Sequence, residues 1–298
     1  MYQSKVAGPV FILSMICLLP PANAGPFSFD TGPVTNSMAS ASRPDSTGQF
    51  EIESADDFVT TVPQTTLTSA TFTGLLTGGA TTANVGVVTV EIYRVFPNDS
   101  NVARTSGPPT FSTPQVPTRV NSPSDVELLD RSTTSANLSF TTTVLNPTFT
   151  ALNSVQPGGI TLKGGGTGAV TGQEVLFSVT FKVPIDLPPD HYFFVPQVEI
   201  DTAGNVGQFL WLSGTRPNPT FPAGFADLQS WTRDQFLDPD WLRIGTDIVD
   251  GSAPIPTFNA AFSLSGVAVP LPGTLPLFAT GLGALGLLGW RRQRKAAA

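Results

Sequence analysis

Carboxylate side chains cluster in three stretches of this chain, and their type and spacing could do chemistry. The stretches are Asp56–Asp57, then Asp125, Glu127 and Asp130, then Asp238, Asp240, Asp247 and Asp250. Closely spaced carboxylates can bind calcium, which takes about six to eight oxygen ligands. No stretch matches the calcium loop that has glycine at its sixth position. Structural calcium, first at Asp238 and Asp240, is therefore one hypothesis, and the capping of turns by these side chains is favoured over it.

Paired carboxylates beside tryptophans could also act on sugars. Two carboxyl groups about 5–9.5 Å apart can hydrolyse a glycosidic bond, and indole rings can stack on sugar faces. The candidate stacking residues are Trp211, Trp231 and Trp241. Spacing along the chain does not place two carboxyl groups at that distance, so sugar binding is favoured over hydrolysis. Tryptophans that anchor the core are the alternative explanation.

The sequence lacks the residues that several other kinds of catalytic or metal site require. The only cysteine is Cys17 and the only histidine is His191. Cys17 lies near the N-terminus, so the rest of the chain has no disulfide, cysteine nucleophile or site with several imidazoles. The sequence also has no Gly-x-Ser-x-Gly elbow, phosphate loop or dinucleotide fingerprint. We predict a protein that is not an enzyme and has no cofactor, in which His191 packs at the start of a strand.

Alternating apolar residues predict the strands that position these side chains. In Val175–Phe181 every second residue is large and apolar, which predicts a strand with one face on a core. In Thr89–Phe96 the same period places Glu91 and Tyr93 on the face opposite to Ile92. Such runs, separated by Gly- and Pro-rich turns, predict an all-β antiparallel sandwich. The predicted strands are Asp57–Thr61, Leu67–Leu76, Val85–Phe96, Leu138–Leu145, Glu174–Val183, Tyr192–Ile200, Phe209–Ser213 and Phe258–Val267.

Four stretches depart from this pattern. Residues 97–124 and 214–224 are rich in proline and predict long surface loops. The glycine run Gly164–Gly168 is followed by neither a basic residue nor a helical pattern, which indicates a hairpin loop. Apolar residues between Phe225 and Phe236 have a spacing that predicts one short helix.

The N-terminus has the features of a signal peptide. Lys5 is the only charged residue among the first 29, and Val10–Leu19 is apolar. Ala22 and Ala24 form an A-x-A cleavage site. We therefore expect residues 1–24 to be a signal peptide that signal peptidase removes after Ala24.

The C-terminus has the features of a membrane anchor. The apolar run Leu275–Trp290 predicts a single membrane-spanning helix, although it is slightly shorter than the ~20 residues usually needed. Basic residues follow it directly, and the positive-inside rule then places the C-terminus in the cytoplasm. These residues are Arg291, Arg292, Arg294 and Lys295.

The residues before this helix complete a three-part signal. Val269, Pro270, Leu271 and Pro272 precede it and are followed by Gly273. Motif, helix and basic end together resemble the PEP-CTERM sorting signals of Gram-negative bacteria, most closely the VPLPA variant. Leu271 stands where the parent motif has Glu, and Gly273 where the variant often has Ala. The resemblance covers only residues 267–298.

The resemblance implies processing by an exosortase, a membrane-embedded cysteine protease, and a link to exopolysaccharide or biofilm. The same kind of tail is also labelled an ice-binding-protein C-terminal domain. A flat ice-binding face needs a repeated threonine array, and the sequence shows no such repeat.

A second resemblance concerns the exported part. Glu51–Phe58 followed by Leu67–Gly74 resembles the first strands of β-sandwich modules in exported bacterial proteins, which look like jelly rolls. With Asp190–Pro196 and Asp240–Arg243, the whole region resembles the exported parts of PEP-CTERM proteins. The resemblance implies a jelly-roll-like sandwich and no particular activity.

Three segments follow from these observations: a signal peptide (1–24), an exported β-sandwich (25–266) and a sorting signal (267–298). The exported segment contains all 22 acidic residues and 10 of the 15 basic ones, a net charge of −12. This charge argues against nucleic acid or anionic lipid as a partner.

The resulting hypothesis is a non-enzymatic protein, anchored in the inner membrane as a precursor and later placed at the cell surface or in the extracellular matrix. Its expected partners are signal peptidase, exosortase, the membrane through the C-terminal helix and, as a further candidate, exopolysaccharide. The alternative hypothesis is an extracellular carbohydrate-binding module, with a glycoside hydrolase less favoured.

Overall fold

Short alternating segments of this chain pair into two β-sheets. The structure is a computed structural model that describes residues 24–104, 118–251 and 254–269. Within those residues it contains fourteen strands. They are β1 (Gly25–Asp30), β2 (Ala39–Ala41), β3 (Ile52–Thr60), β4 (Gln64–Leu76), β5 (Val85–Arg94), β6 (Leu129–Ser132), β7 (Leu138–Ala151), β8 (Ser154–Val155), β9 (Val170–Leu187), β10 (Asp190–Ile200), β11 (Phe209–Leu212), β12 (Trp231–Asp234), β13 (Leu242–Arg243) and β14 (Phe262–Val269).

The strands are divided between an eight-stranded and a six-stranded sheet. The larger sheet has the order β1-β14-β4-β11-β2-β8, and β9 also pairs with β4 and carries β7 on its other side. The smaller sheet has the order β13-β12-β3-β10-β5-β6. All pairs are antiparallel except β2 with β8, which is parallel. The predicted all-β class is therefore confirmed.

The main core lies between the two sheets and is rich in aromatic rings. Phe194 of the six-stranded sheet stacks on Phe262 of the eight-stranded sheet, with ring centroids 5.0 Å apart. Phe72 and Phe177, which pair across β4 and β9, stack at 4.9 Å. Every second residue of Val175–Phe181 is buried in this core, so the predicted inward face is confirmed.

The six-stranded sheet is buried on its outer face as well. Every residue of β3 is buried, because the chain after β11 returns across the sheet. A second apolar cluster forms there, and we call this side the outer face. Its members are Ala55, Tyr93, Phe193, Val195, Leu228, Trp231 and Trp241.

The predicted helix between Phe225 and Phe236 is wrong. Trp231–Asp234 is strand β12, which pairs with β3 on one side and with β13 on the other. The apolar spacing arises because Leu228 and Trp231 both contribute to the cluster on the outer face. Backbone pairing with β3 therefore decides the conformation of this segment, and the helical spacing of its apolar residues does not.

Each of the eight predicted strands overlaps a strand of the structure, although Asp57–Thr61 covers only the second half of β3, and the strands that were missed entirely are short. Helical turns are confined to Thr82–Asn84, Ala203–Asn205 and the π-helical turn Ile244–Val249 among the residues described. None of the helices in the described part is long and apolar enough to cross a membrane. The helix predicted at 275–290 lies outside the described residues.

Candidate functional site

Charged side chains come together on the outer face of the six-stranded sheet. The register of β12 against β3 sets Arg233 directly opposite Glu53. Side chains alternate between the faces of a strand, so Glu91 and Tyr93 of β5 lie on the same face as each other. Hydrogen bonds connect all four residues, which come from three different strands.

Arg233 lies at the centre of this network. Its Nε atom is ion-paired with Glu53, and its Nη2 atom donates a hydrogen bond to the Tyr93 hydroxyl at 2.9 Å. Its Nη1 atom lies 2.8 Å from Oδ1 of Asp238. The guanidinium carbon is 4.4 Å from the centroid of the Trp241 ring, a favourable cation–π contact. One buried arginine thereby joins β3, β5 and the turn after β12.

The Tyr93 hydroxyl bridges two carboxyl groups. Its oxygen lies 2.7 Å from Oε1 of Glu53 and 3.1 Å from Oε2 of Glu91. Burial raises the pKa of Glu91 to about 10, and repulsion from Glu53 adds to the increase. Glu91 is therefore protonated at neutral pH, whereas Glu53 is paired with Arg233. A protonated carboxyl beside a carboxylate is an arrangement that general acid–base chemistry can use.

Burial decides whether a substrate can use these groups. Glu53 is 3 % exposed and Arg233 is 5 % exposed. A substrate therefore cannot contact both carboxyl groups in this structure. The network is placed to hold β3, β5 and β12 together, because a buried charge is stable only when it is paired and hydrogen-bonded.

Asp240 and Asp125 form a second network with two arginines. The carboxylate of Asp240 accepts hydrogen bonds from Nη1 and Nη2 of Arg104 at 2.8 and 2.6 Å, a bidentate pair. Its Oδ1 atom also lies 3.1 Å from Nε of Arg119. Asp125 is ion-paired with Arg119. The structure describes two parts of the predicted 97–124 loop, residues 97–104 and 118–124. Arg104 holds the first part and Arg119 the second part against Asp240 and Asp125.

These contacts bear directly on the calcium hypothesis. Asp238 is ion-paired with Arg233, and both carboxylate oxygens of Asp240 accept hydrogen bonds from Arg104. The favoured alternative, turn capping, also fails for Asp240. A capping side chain accepts a backbone N–H, whereas the partners of Asp240 are arginine side chains. Within the described ranges, no three His, Cys, Asp or Glu side chains are grouped so that they could hold a metal ion.

The remaining carboxylates of the clusters predicted near residues 125 and 240 lie apart from both networks. Glu127 and Asp130 are exposed, whereas Asp247 and Asp250 are ion-paired with Arg243 at 2.7 Å and with Lys163 at 2.9 Å.

The Asp56–Asp57 pair is buried in β3, and each carboxylate has its own partners. Oδ2 of Asp57 lies 2.6 Å from Nε2 of His191 and accepts a hydrogen bond from the Leu228 N–H at 3.1 Å. Oδ1 of Asp56 accepts a hydrogen bond from the Ser230 hydroxyl at 3.1 Å. Oδ2 of Asp56 accepts the Ala260 N–H at 2.9 Å. Asp57 therefore binds the segment 225–230, which covers the outer face, whereas Asp56 joins that segment to the residues just before β14.

Burial also changes the proton affinity of these groups. It raises the pKa of both Asp56 and Asp57 well above the usual value, and their mutual repulsion raises that of Asp56 further. It lowers the pKa of His191 to about 4. As predicted, His191 lies at the start of a strand, and its ring packs against Phe221 and other aromatic rings. Its contact with Asp57 was not predicted.

The three candidate stacking tryptophans do not offer a face to a sugar. Trp211, Trp231 and Trp241 are each 1 % exposed. Trp211 lies in the main core and donates to the Ala261 carbonyl at 2.9 Å. Trp241 donates to the Ser124 carbonyl at 3.2 Å and packs edge-on against Tyr93. They anchor the two apolar clusters, the alternative that the sequence left open.

The predicted processing residues lie at the limits of the described chain. Ala24 is exposed and directly precedes β1, and Val269 is the last residue of β14. The other residues of the predicted signals lie outside the described residues. They are Ala22, Pro270, Leu271, Pro272, Arg291, Arg292, Arg294 and Lys295.

Sequence reasoning missed Glu53, Glu91, Tyr93 and Arg233 as a group. The period of two in Thr89–Phe96 did place Glu91 and Tyr93 on one face, and a buried carboxylate on a strand needs a cationic partner. Which arginine supplies it could not be read from the sequence.

Comparison with protein-family models, with curated proteins and with solved structures found no match for this chain.

Proposed function

We propose that this chain is a non-enzymatic exported protein of a Gram-negative bacterium, delivered to the cell surface or extracellular matrix. A signal peptide (1–24) directs export, and a C-terminal membrane helix holds the precursor in the inner membrane. An exosortase then processes the PEP-CTERM-like signal, and the delivered domain contributes to an exopolysaccharide matrix. In this proposal the domain is a jelly-roll-like sandwich.

One pairing carries the proposal. Gly25, the residue after the predicted cleavage site, opens β1 and pairs with Ala268 of β14. Ala268 lies two positions before Pro270 of the predicted sorting motif. The sheet thus begins directly after one predicted processing site and ends at the other. Cleavage at either place would remove chain beyond the strands and leave the hydrogen-bonded sheet complete.

The burial of the charged groups supports a role other than catalysis. Glu53 is paired with Arg233, and Asp240 with Arg104. Each carboxylate is occupied by a cation of the chain itself, so these groups contribute to the fold. A catalytic carboxylate must instead be reachable by its substrate.

A carbohydrate-binding module, or less favourably a glycoside hydrolase, is the second candidate. One observation favours it: Glu91, unlike Glu53, is only half-buried and shares the Tyr93 hydroxyl with Glu53, so a ligand could reach this one carboxyl group. Glycan-array binding of the full chain tests it, with Glu91→Gln as the site variant and Glu127→Gln as the exposed control. Binding that Glu91→Gln alone abolishes would favour this candidate over the first.

The sorting role is tested by replacing Pro270 and Pro272 with Ala and fractionating the cells. Pro254→Ala, an exposed loop proline, is the control. We expect the double variant to remain in the inner membrane, whereas the control and the parent reach the surface. Equal release of all three would exclude the sorting role, and deletion of residues 1–24 should keep the chain in the cytoplasm.

A further inference from the structure

Strand β7 is a long edge of the eight-stranded sheet. It pairs along one side with β9 from Leu138 to Ala151. On its other side, no strand among the described residues pairs with it. An edge of this kind presents a row of backbone N–H and C=O groups that can hydrogen-bond to another strand.

The other edges of the two sheets have the features that usually prevent such pairing. β1 contains Pro26 and Asp30, and β6 contains Asp130 and Arg131. β8 and β13 have only two residues each. Charged residues, proline and short length are the usual protection of an edge strand.

The first half of β7 has none of these features. Leu138–Val144 contains no charged residue and no proline. Its pairing with β9 is regular, and the bulges begin only after Val144, followed by Pro147. Val144 and Leu145 are 42 and 50 % exposed. A regular and uncharged segment, with Thr141, Thr143 and Val144 exposed, therefore ends at the point where the strand becomes irregular.

We propose that Leu138–Val144 pairs antiparallel with the same segment of a second copy of this chain, around a two-fold axis near Thr142. This axis sets Thr141 opposite Thr143 and Phe140 opposite Val144. Threonine pairs and aromatic–β-branched pairs are favourable between neighbouring strands. The segment is thus complementary to itself, as a two-fold interface requires, and the eight-stranded sheet continues from one copy into the other.

The charge of the domain favours this uncharged edge as the place where two copies can meet. At a net charge of −12 in the exported part, two copies repel each other where their acidic surfaces meet. Pairing along Leu138–Val144 sets no like charges opposite each other, because the segment has none. A strongly charged partner would find no opposite charge in the segment, whereas an identical uncharged strand satisfies its backbone groups.

Disulfide cross-linking gives a direct test. Cys17 is the only cysteine, so the full chain with Cys17→Ser can carry single cysteines at chosen positions. Opposed residues of an antiparallel pair have Cα atoms about 4.5–5.5 Å apart, within the range of about 4.4–6.8 Å for a disulfide. We expect Thr142→Cys to form a disulfide-linked dimer on mild oxidation, and Thr47→Cys, an exposed turn position, to form no covalent dimer.

Sedimentation of the full chain in a mild detergent is the second measurement. We expect a dimer whose dissociation constant rises about tenfold or more in Thr141→Lys/Thr143→Lys, because these lysines would face each other across the axis. The control, Thr47→Lys/Thr134→Lys, places the same charge on exposed turns and should leave dimerisation unchanged.

Two results would overturn the proposal. One is a parent chain that is monomeric at every concentration, together with a Thr142→Cys variant that gives no covalent dimer. The other is a dimer that the Thr141→Lys/Thr143→Lys variant leaves intact. Neither measurement involves export or processing, so either result would leave the proposed sorting role standing.

Discussion

His191 and Asp57 are joined by a contact of 2.6 Å between Nε2 and Oδ2, although 134 positions separate them in the sequence. The same Asp57 oxygen accepts the N–H of Leu228. Because Leu228 lies in the segment that covers the outer face, this one carboxylate connects β3, β10 and the covering segment.

Replacing His191 by Leu should therefore destabilise the domain. Oδ2 of Asp57 would lose its contact with His191 and keep the Leu228 N–H, and the loss of one hydrogen bond costs about 0.5–1.5 kcal/mol. Urea unfolding of His191→Leu, Asp57→Asn and the double variant measures the coupling between the two side chains. Strictly additive losses would mean that the contact contributes nothing.

Glu91→Gln should change how stability depends on pH. The pKa of Glu91 is about 10 in the folded chain and near 4.5 when unfolded. Between these values the folded state holds one more proton at Glu91, so the contribution of this group to stability is fully present below about pH 4.5 and is lost as pH rises, by at most ~1.4 kcal/mol per pH unit. Gln mimics the protonated carboxyl and should flatten this part of the curve.

Unfolding measured from pH 5 to pH 9 checks this prediction. The exposed variant Glu127→Gln is the control and should keep the slope of the parent. An unchanged slope in Glu91→Gln would show that Glu91 is ionised in the folded protein.

Calcium should not stabilise the domain through Asp240. Arg104 and Arg119 already surround this carboxylate, and a cation would have to displace them. We expect thermal unfolding curves in calcium and in EDTA to superimpose. An upward shift with calcium that Asp240→Asn removes would show that the site binds the metal after all.

Asp240→Asn should itself lower the free energy of unfolding by about 1.5–3 kcal/mol, because Arg104 and Arg119 each lose a charged hydrogen-bond acceptor, although both keep Asp125 as a partner. The exposed Asp130→Asn is the control and should have little effect. A loss as small as that of the control would mean that the Arg104–Asp240 contact is energetically neutral.

Phe181→Ala should destabilise the domain by about 3–5 kcal/mol, the usual cost of removing a buried aromatic ring. Phe181 belongs to the main core, and its neighbour Thr180 is exposed on the opposite face of β9. Chemical denaturation of Phe181→Ala and Thr180→Ala compares the two faces. Equal losses would contradict the assignment of the inward face.

Sequence analysis located the long strands because each has a local signal, although the predicted strand Asp57–Thr61 covered only the second half of β3. In β9, Phe177 and Phe181 recur with a period of two, and this period requires only that one face be apolar. The short strands had no such signal. In β12 the residues Trp231–Asp234 are too few to show a period, so the spacing of nearby apolar residues suggested a helix instead.

The ionic networks could not be predicted in the same way. Glu53 and Arg233 are 180 positions apart, and Arg104 and Asp240 are 136 apart. The sequence shows that these charges exist but not that β12 lies beside β3, or that the 97–124 loop reaches the outer face. Their pairing depends on strand order and register.

By itself, therefore, the sequence determined the all-β class, the long strands and the inward face of β9, because these depend on residues that are neighbours in the chain. It also contains the signal-peptide pattern at the N-terminus and the sorting-signal pattern at the C-terminus, on which the proposed localisation of the protein rests. Only the tertiary structure decided that Asp57 contacts His191, that Asp240 binds arginines and that the tryptophans are buried. Each of these outcomes is set by the pairing of distant segments, which local patterns do not record.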